Sequence, residues 1–352
     1  MDYLIDRFGE DALMLALGLC VGVLFGMAAY RSRFCLRAAT VELAGGQVGS
    51  KLAIWLVAFT TALVSVQAAV WAEVLNVDTA RQIAATGSLS GAIIGGLLFG
   101  VGMVLARGCA SRLLVLSATG NLRAIVTGLV LTLTAQASLR GVLAPARESL
   151  SALWTIDGGG ARRLIEPDTL LHPVMIVAAA MVLLASFVIG RRHGLGLVEL
   201  VSAMVVGLAV YLGWQGTYMI ASTSFEIVPV QSVTFTGPST DTLMALVNER
   251  SLPVGFGVGL VPGVFLGAMG AALFRRDFRI QRFEPGVPME RYLVGAVLMG
   301  FGSMLAGGCA VGAGMSGGAI LALTAWVAVF CMWVGAMTTH WLMSLQAQPR
   351  LV

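Results

Sequence analysis

The chain has 352 residues, of which 58% are hydrophobic and 11% charged, with a formal net charge of +4. A soluble protein carries charge on about a quarter of its positions, which excludes water as the main solvent here. The apolar runs recur along the whole chain and leave no polar stretch large enough for a soluble domain, so residues 1–352 read as a single membrane domain. Arginines in cytoplasmic loops give the same positive balance in any membrane protein, and no nucleic-acid partner is implied.

The amino-terminal stretch carries Asp2, Asp6, Glu10 and Asp11 in place of a basic region, and its apolar run leads straight into Arg31 and Arg33. That pattern argues against a cleaved signal peptide. A helix needs about 20 mostly apolar residues to cross the hydrocarbon core. Nine segments come close: 12–30, 51–72, 88–106, 121–139, 171–190, 195–216, 254–274, 291–306 and 320–342. The expected fold is all-α, a polytopic membrane protein of about nine transmembrane helices. Assigning the 22 Lys and Arg residues to alternate sides puts 15 on the side of the first loop and 7 on that of the amino terminus. The positive-inside rule then places the amino terminus outside and the carboxyl terminus in the cytoplasm of a cell whose inner (plasma) membrane holds the chain. The segment 140–170 runs against the count, with Arg140, Arg147, Arg162 and Arg163 outside, offset by Glu148, Asp157, Glu166 and Asp168.

The chain repeats itself at an offset of 200 residues. GGLLFGVGMVLARGCA (95–110) aligns with GAVLMGFGSMLAGGCA (295–310), and nine of the 16 positions are identical. Such a match points to duplication. If the third span corresponds to the eighth, then 12–139 is a first repeat, 171–190 a linking span and 195–342 a second repeat. The odd linking span makes the halves run in opposite directions, the architecture by which many transporters build a site near the bilayer midplane. The stretches 34–46, 111–120 and 311–319 are too short to span, and they read as half-helices around a central pathway, since such backbone survives at membrane depth only when buried or lining a cavity.

Five cysteines, Cys20, Cys35, Cys109, Cys309 and Cys331, show neither CxxC spacing nor clustered histidines, so no metal site, cofactor site or disulfide framework is indicated. A lone cysteine is most often a small core hydrophobe, and that reading suits Cys20 and Cys331. The duplication changes the balance for Cys109 and Cys309. With Gly108, Gly308, Ala110 and Ala310 they end two glycine-spaced segments, where thiols and backbone N–H groups can meet a passing anion and release it. Cys35 follows Arg31 and Arg33, a setting that suits either anion attraction or orientation in the membrane, and the residues alone leave it even. Arg107 precedes the first motif, where the second has Gly307. It either faces the pathway, as costly intramembrane arginines usually do, or snorkels to the surface. Gln67, Gln136, Gln215 and His340 suit hydrogen bonds between helices. No nucleotide-binding or hydrolase motif appears, so no enzyme is expected.

With RSRFC (31–35), GVGMVLARGCA (100–110) and GFGSMLAGGCAVGAG (300–314) in place, nearly the whole chain resembles the YeeE/YedE family of sulfur-transport membrane proteins. The resemblance implies a three-cysteine path, carried here by Cys35, Cys109 and Cys309. It also implies uptake of a small sulfur-containing anion, thiosulfate foremost, and a separate TusA-like sulfur carrier on the cytoplasmic side. Alternatives are transport of another sulfur or selenium species, or a membrane sulfurtransferase or thiol oxidoreductase that forms a cysteine persulfide.

Overall fold

A computed structural model of the chain describes residues 5, 7–167, 169–224, 226–248, 254–282 and 288–347, so Asp2, Asp6 and Asp168 lie outside the described residues. The protein is built of helices: α1 (Glu10–Ser32), α2 (Leu36–Ala44), α3 (Ser50–Trp71), α4 (Arg81–Ala84), α5 (Leu89–Leu105), α6 (Ala110–Ala118) and α7 (Leu122–Arg140), then α8 (Ala144–Ser151), α9 (Leu171–Arg192), α10 (Leu197–Thr223), α11 (Thr236–Asn248), α12 (Phe256–Phe274), α13 (Met289–Leu305) and α14 (Leu323–Ala347). Strand content is confined to the two-residue pair β1 (Gly87–Ser88) and β2 (Thr155–Ile156) among the described residues. The chain is therefore an all-α polytopic membrane protein. Eight helical segments are long and apolar enough to cross a bilayer among the described residues. The remaining expected span, 291–306, forms α13, whose 17 residues lie at the lower edge of the spanning range.

Glycine determines how these helices meet. Gly18, Gly22 and Gly26 of α1 press on the carbonyls of Phe256, Leu260 and Val264, while Gly259, Gly263 and Gly267 of α12 press on those of Leu15, Leu19 and Val23. The order of contacts makes α1 and α12 parallel, and a Cβ at any of these positions would enter the partner's backbone. Without a hydrophobic drive between helices in lipid, such close backbone approach supplies the dispersion contacts that hold them.

The copies of the sequence repeat meet in the opposite sense. Gly95 of α5 lies against the Gly302 carbonyl and the Ala306 N–H, and Gly295 of α13 against the Gly102 carbonyl and the Ala106 N–H. α5 and α13 are thus antiparallel, and each contact has a counterpart 200 residues away. The next layer is exchanged in the same manner: Gly100 of α5 packs on Met332 and Ala336 of α14, and Gly300 of α13 packs on Leu131 and Ala135 of α7.

α9 marks the solvent. Val174, Met181 and Leu184 are 63%, 60% and 67% exposed, an apolar face suited to lipid. Trp55 and Trp214 are buried, whereas Trp71 and Trp341, at helix ends, are exposed in the manner of interfacial anchors. Segment 141–170 folds down on the end of the molecule that holds the α13 carboxyl terminus. Its Arg162 is buried and donates to the carbonyls of Arg81 (3.3 Å) and Ala85 (2.6 Å) and to the Thr324 hydroxyl (2.6 Å). Arg163 pairs with Asp78, and Arg147 with Glu148 at 2.9 Å. These arginines are thereby committed to local structure.

Candidate functional site

Each expected path cysteine sits where a helix has just been broken. α1 stops at Arg33, which adopts a left-handed conformation (φ 54°) and lets the Phe34 N–H reach back to the Ala29 carbonyl at 3.2 Å. The chain then restarts with Cys35 as the residue capping α2. α5 stops at Arg107 (φ 55°), with the Gly108 N–H bonded to the Met103 carbonyl at 3.1 Å, and restarts with Cys109 capping α6. α13 stops at Gly307 (φ 77°), the Gly308 N–H bonds to the Ser303 carbonyl at 2.9 Å, and the chain after Cys309 winds into a π-helical turn, Gly312–Gly317. The π turn takes the place of the nine-residue α6 in a run with glycine at 312, 314 and 317, the residue with the poorest helix preference after proline.

The structure brings two of the three thiols together. The Cys35 and Cys109 side chains lie within interaction range of one another, and the backbone N–H groups of Ala38 and Arg112 face their respective sulfurs. Cys109 also lies 3.4 Å from the Ser111 hydroxyl. Cys309 is apart. Because Ala306 lies level with Gly95 and Ala106 with Gly295, the ends of α5 and α13 are separated along the axis by roughly 16 Å at 1.5 Å per residue. Cys309 holds its own backbone donor, the Gly312 N–H at 3.5 Å, in the same relation that Arg112 bears to Cys109. Exposure is 9% for Cys35 and 1% for both Cys109 and Cys309. A sulfur that accepts a backbone N–H keeps its S–H free to donate, and the amino ends of α2 and α6 add partial positive charge at Cys35 and Cys109.

Positive charge gathers around the Cys35–Cys109 pair. The Arg37 and Arg112 charges act on Cys35, and Arg107, Arg123 and Arg291 act on Arg37. Arg123 donates to the Ala106 carbonyl at 2.9 Å and covers the Tyr292 ring at 4.8 Å. A cavity of about 190 Å³ opens beside this end, lined by Tyr30, Arg31, Arg33, Arg112, Arg275, Asp277 and Gln281 among others. Arg33 therefore stands in a cationic mouth. Arg107 is partly buried within the arginine group. At the Cys309 end the corresponding positions Gly307 and Gly312 carry no charge.

The family described as sulphur transport matches residues 31–338. The chain belongs to that family. Two relatives are both named thiosulfate transporter TsuA. The protein from Escherichia coli (strain K12) is 26% identical over 96% of this chain and 97% of its own length. The one from Spirochaeta thermophila is 26% identical over 94% of this chain and 99% of its own. The expected YeeE/YedE resemblance and the reading as a sulfur-anion permease are borne out, and the relatives are named for transport, not catalysis.

The remaining candidates divide by packing. Gly108 and Ala110 flank Cys109 in the buried break, and Gly308 and Ala310 do the same for Cys309. Cys20 is exposed on α1 and Cys331 packs its Cβ against Gly96, so neither joins the thiols. Gln67 bridges helices, donating to the Ala319 carbonyl at 2.5 Å and bonding His172 at 2.8 Å. Gln215 donates to the Val74 carbonyl at 3.2 Å.

Proposed function

We propose that the chain carries thiosulfate across the inner membrane into the cytoplasm along a path whose donors are the thiols of Cys35, Cys109 and Cys309. The single observation that carries this reading is the thiol contact between Cys35 and Cys109 at the start of two short helices, with Cys309 in the reciprocal break. A dianion leaving water must exchange its hydration for donors at every step, and it must not bind any of them tightly. Neutral thiols, backbone N–H groups and helix amino ends supply such donors in series. Gly108, Ala110, Gly308 and Ala310 shape the two breaks, and Arg33 and Arg107 attract the anion at the Cys35–Cys109 end. Both relatives named thiosulfate transporter support the choice of substrate.

The halves are 12–139 and 195–342, inverted about the linking span 171–190, and nine crossings place the amino terminus outside. The reciprocal contacts of Gly95, Gly102, Gly295 and Gly302 support this arrangement. The arginine-rich mouth then faces the cytoplasm, where the positive-inside rule expects it. It is also where a TusA-like carrier would receive sulfur. In a host lacking its own thiosulfate uptake, Cys109→Ala and Cys309→Ala are expected to abolish growth on thiosulfate as sole sulfur source while expressing normally. Normal growth of both variants would sink the reading. A persulfide mass increase on Cys109 during turnover would favour the sulfurtransferase alternative.

A further inference from the structure

The pairing of Cys35 with Cys109 has a counterpart at the other end of the path, made with a different side chain. We infer that Thr234 is a fourth donor of the path, a hydroxyl acting beside Cys309 as the Cys35 thiol acts beside Cys109. The inference rests on the permease reading above and adds to it a substrate-contacting residue.

Thr234 lies in the extended segment before α11, which enters the site at the Cys309 end much as the Arg33–Cys35 break enters it at the other. Hydrogen bonds at Gln231, Ser232 and Val233 hold the segment. The Gln231 N–H donates to the Thr217 hydroxyl at 3.1 Å, the Ser232 hydroxyl to the Val210 carbonyl at 2.6 Å, and the Ser316 hydroxyl to the Val233 carbonyl at 2.5 Å. Ser316 belongs to the π turn that follows Cys309, so the last bond ties the segment to the thiol's own loop. The Thr234 side chain rests on Gly312, where any Cβ would collide with Thr234 Oγ1. Gly312 in turn donates its N–H to Cys309 Sγ. Hydroxyl, glycine and thiol are consecutive contacts.

The hydroxyl is uncommitted. Its neighbours Val233 and Phe235 are buried, whereas Thr234 is partly exposed, and no partner for Oγ1 is present among the described residues. Two residues further on, the Thr236 hydroxyl is fully buried and also lacks a partner. Buried hydroxyls normally find an acceptor, so the orphaned Thr236 hydroxyl calls for an explanation, while the partly exposed Thr234 hydroxyl is open to a solute beside it. A small sulfur oxyanion supplies the acceptor: a hydroxyl offers one O–H to an anionic oxygen. Gly312 is the glycine that leaves room for that hydroxyl, which gives a physical reason why the second motif continues with glycine where the first continues with Arg112.

The test is uptake of radiolabelled thiosulfate into proteoliposomes by the full chain and by Thr234→Val, Thr234→Ser and Cys309→Ala. One hydrogen bond to a charged group is worth about tenfold or more in binding. Thr234→Val, nearly isosteric, is expected to raise the half-saturation concentration about tenfold, while Thr234→Ser stays within about twofold of the parent. Each variant is checked for monodispersity and helix content, and Thr234→Ala replaces Thr234→Val if the latter does not fold. A parental half-saturation value in Thr234→Val, with Cys309→Ala inactive, would overturn the inference and leave the permease reading standing. An equal loss in Thr234→Ser would also overturn it, since the hydroxyl is retained there. Normal transport by Cys309→Ala would instead remove Cys309 from the path and with it the pairing on which the inference rests, and absence of transport by the parent would remove the permease reading itself.

Discussion

Arg33 and Arg107 both adopt left-handed backbone conformations after a helix end, where glycine is the unstrained residue and an L side chain costs roughly 1–2 kcal/mol. The second repeat places Gly307 at the equivalent corner. Under the proposed function, the strain at Arg33 and Arg107 is kept for their charge, which draws a dianion to the end from which it must leave. Arg107→Gly is accordingly expected to raise stability by about 1 kcal/mol, read as a higher unfolding midpoint in detergent, and to slow uptake at low thiosulfate. If Arg107 served folding alone, the substitution would lower both. The sequence repeat singled out Cys109 and Cys309, because packing alone does not require a thiol in both registers. Cys35 was not decidable that way, since its partner is 74 positions away in the chain and only the fold closes that distance. Thr234 carried no signal at all, being one hydroxyl in a stretch without repeat or motif.

At the scale of elements, the glycines separate cleanly into those that let backbones touch and those that do not. Gly22 and Gly270 stand on the two helices of the α1–α12 pair, yet a Cβ at Gly22 meets the backbone of α12 whereas one at Gly270 meets nothing within 4 Å. Gly22→Leu is expected to cost about 2–3 kcal/mol or prevent folding, and Gly270→Leu to leave the unfolding midpoint unchanged. Equal midpoints would contradict the seam. Arg162 is a second element-scale anchor. Its burial lowers its pKa, and the Arg81 charge adds to that shift, so the residue is retained for its hydrogen bonds, not for a comfortable charge. Arg162→Leu leaves two carbonyls and the Thr324 hydroxyl short of a donor, with an expected loss of about 2–3 kcal/mol in thermal unfolding. In the sequence Arg162 is one of four loop arginines that disturb the orientation count, and nothing there distinguishes a buried anchor from a solvated charge. The helix breaks were more legible, because stretches such as 311–319 are too short and too small to span. Their form was not, since the stretch after Cys109 winds into an α-helix and the matching stretch after Cys309 into a π turn.

For the whole molecule, composition announced the bilayer and the repeat announced two matched segments, but the way those segments cross belongs to the fold. α5 and α13 cross antiparallel, with α5 packed on α14 and α13 on α7. The orientation built on this arrangement predicts that a cysteine replacing Ser149, in the exposed helix α8, reacts with a membrane-impermeant maleimide added to intact cells. One replacing His193, in the turn after α9, reacts only after lysis. The reverse pattern would invert the protein. The claim that joins every scale is that thiosulfate moves through the chain past thiols. Its most direct measurement is accumulation of radiolabelled thiosulfate in proteoliposomes containing only the purified protein, compared with Cys109→Ala, Cys309→Ala and protein-free vesicles. Accumulation is expected for the parent, and for both variants a signal no greater than that of empty vesicles, with unchanged folding. Accumulation by both variants at the parental rate, or none by the parent, would contradict it.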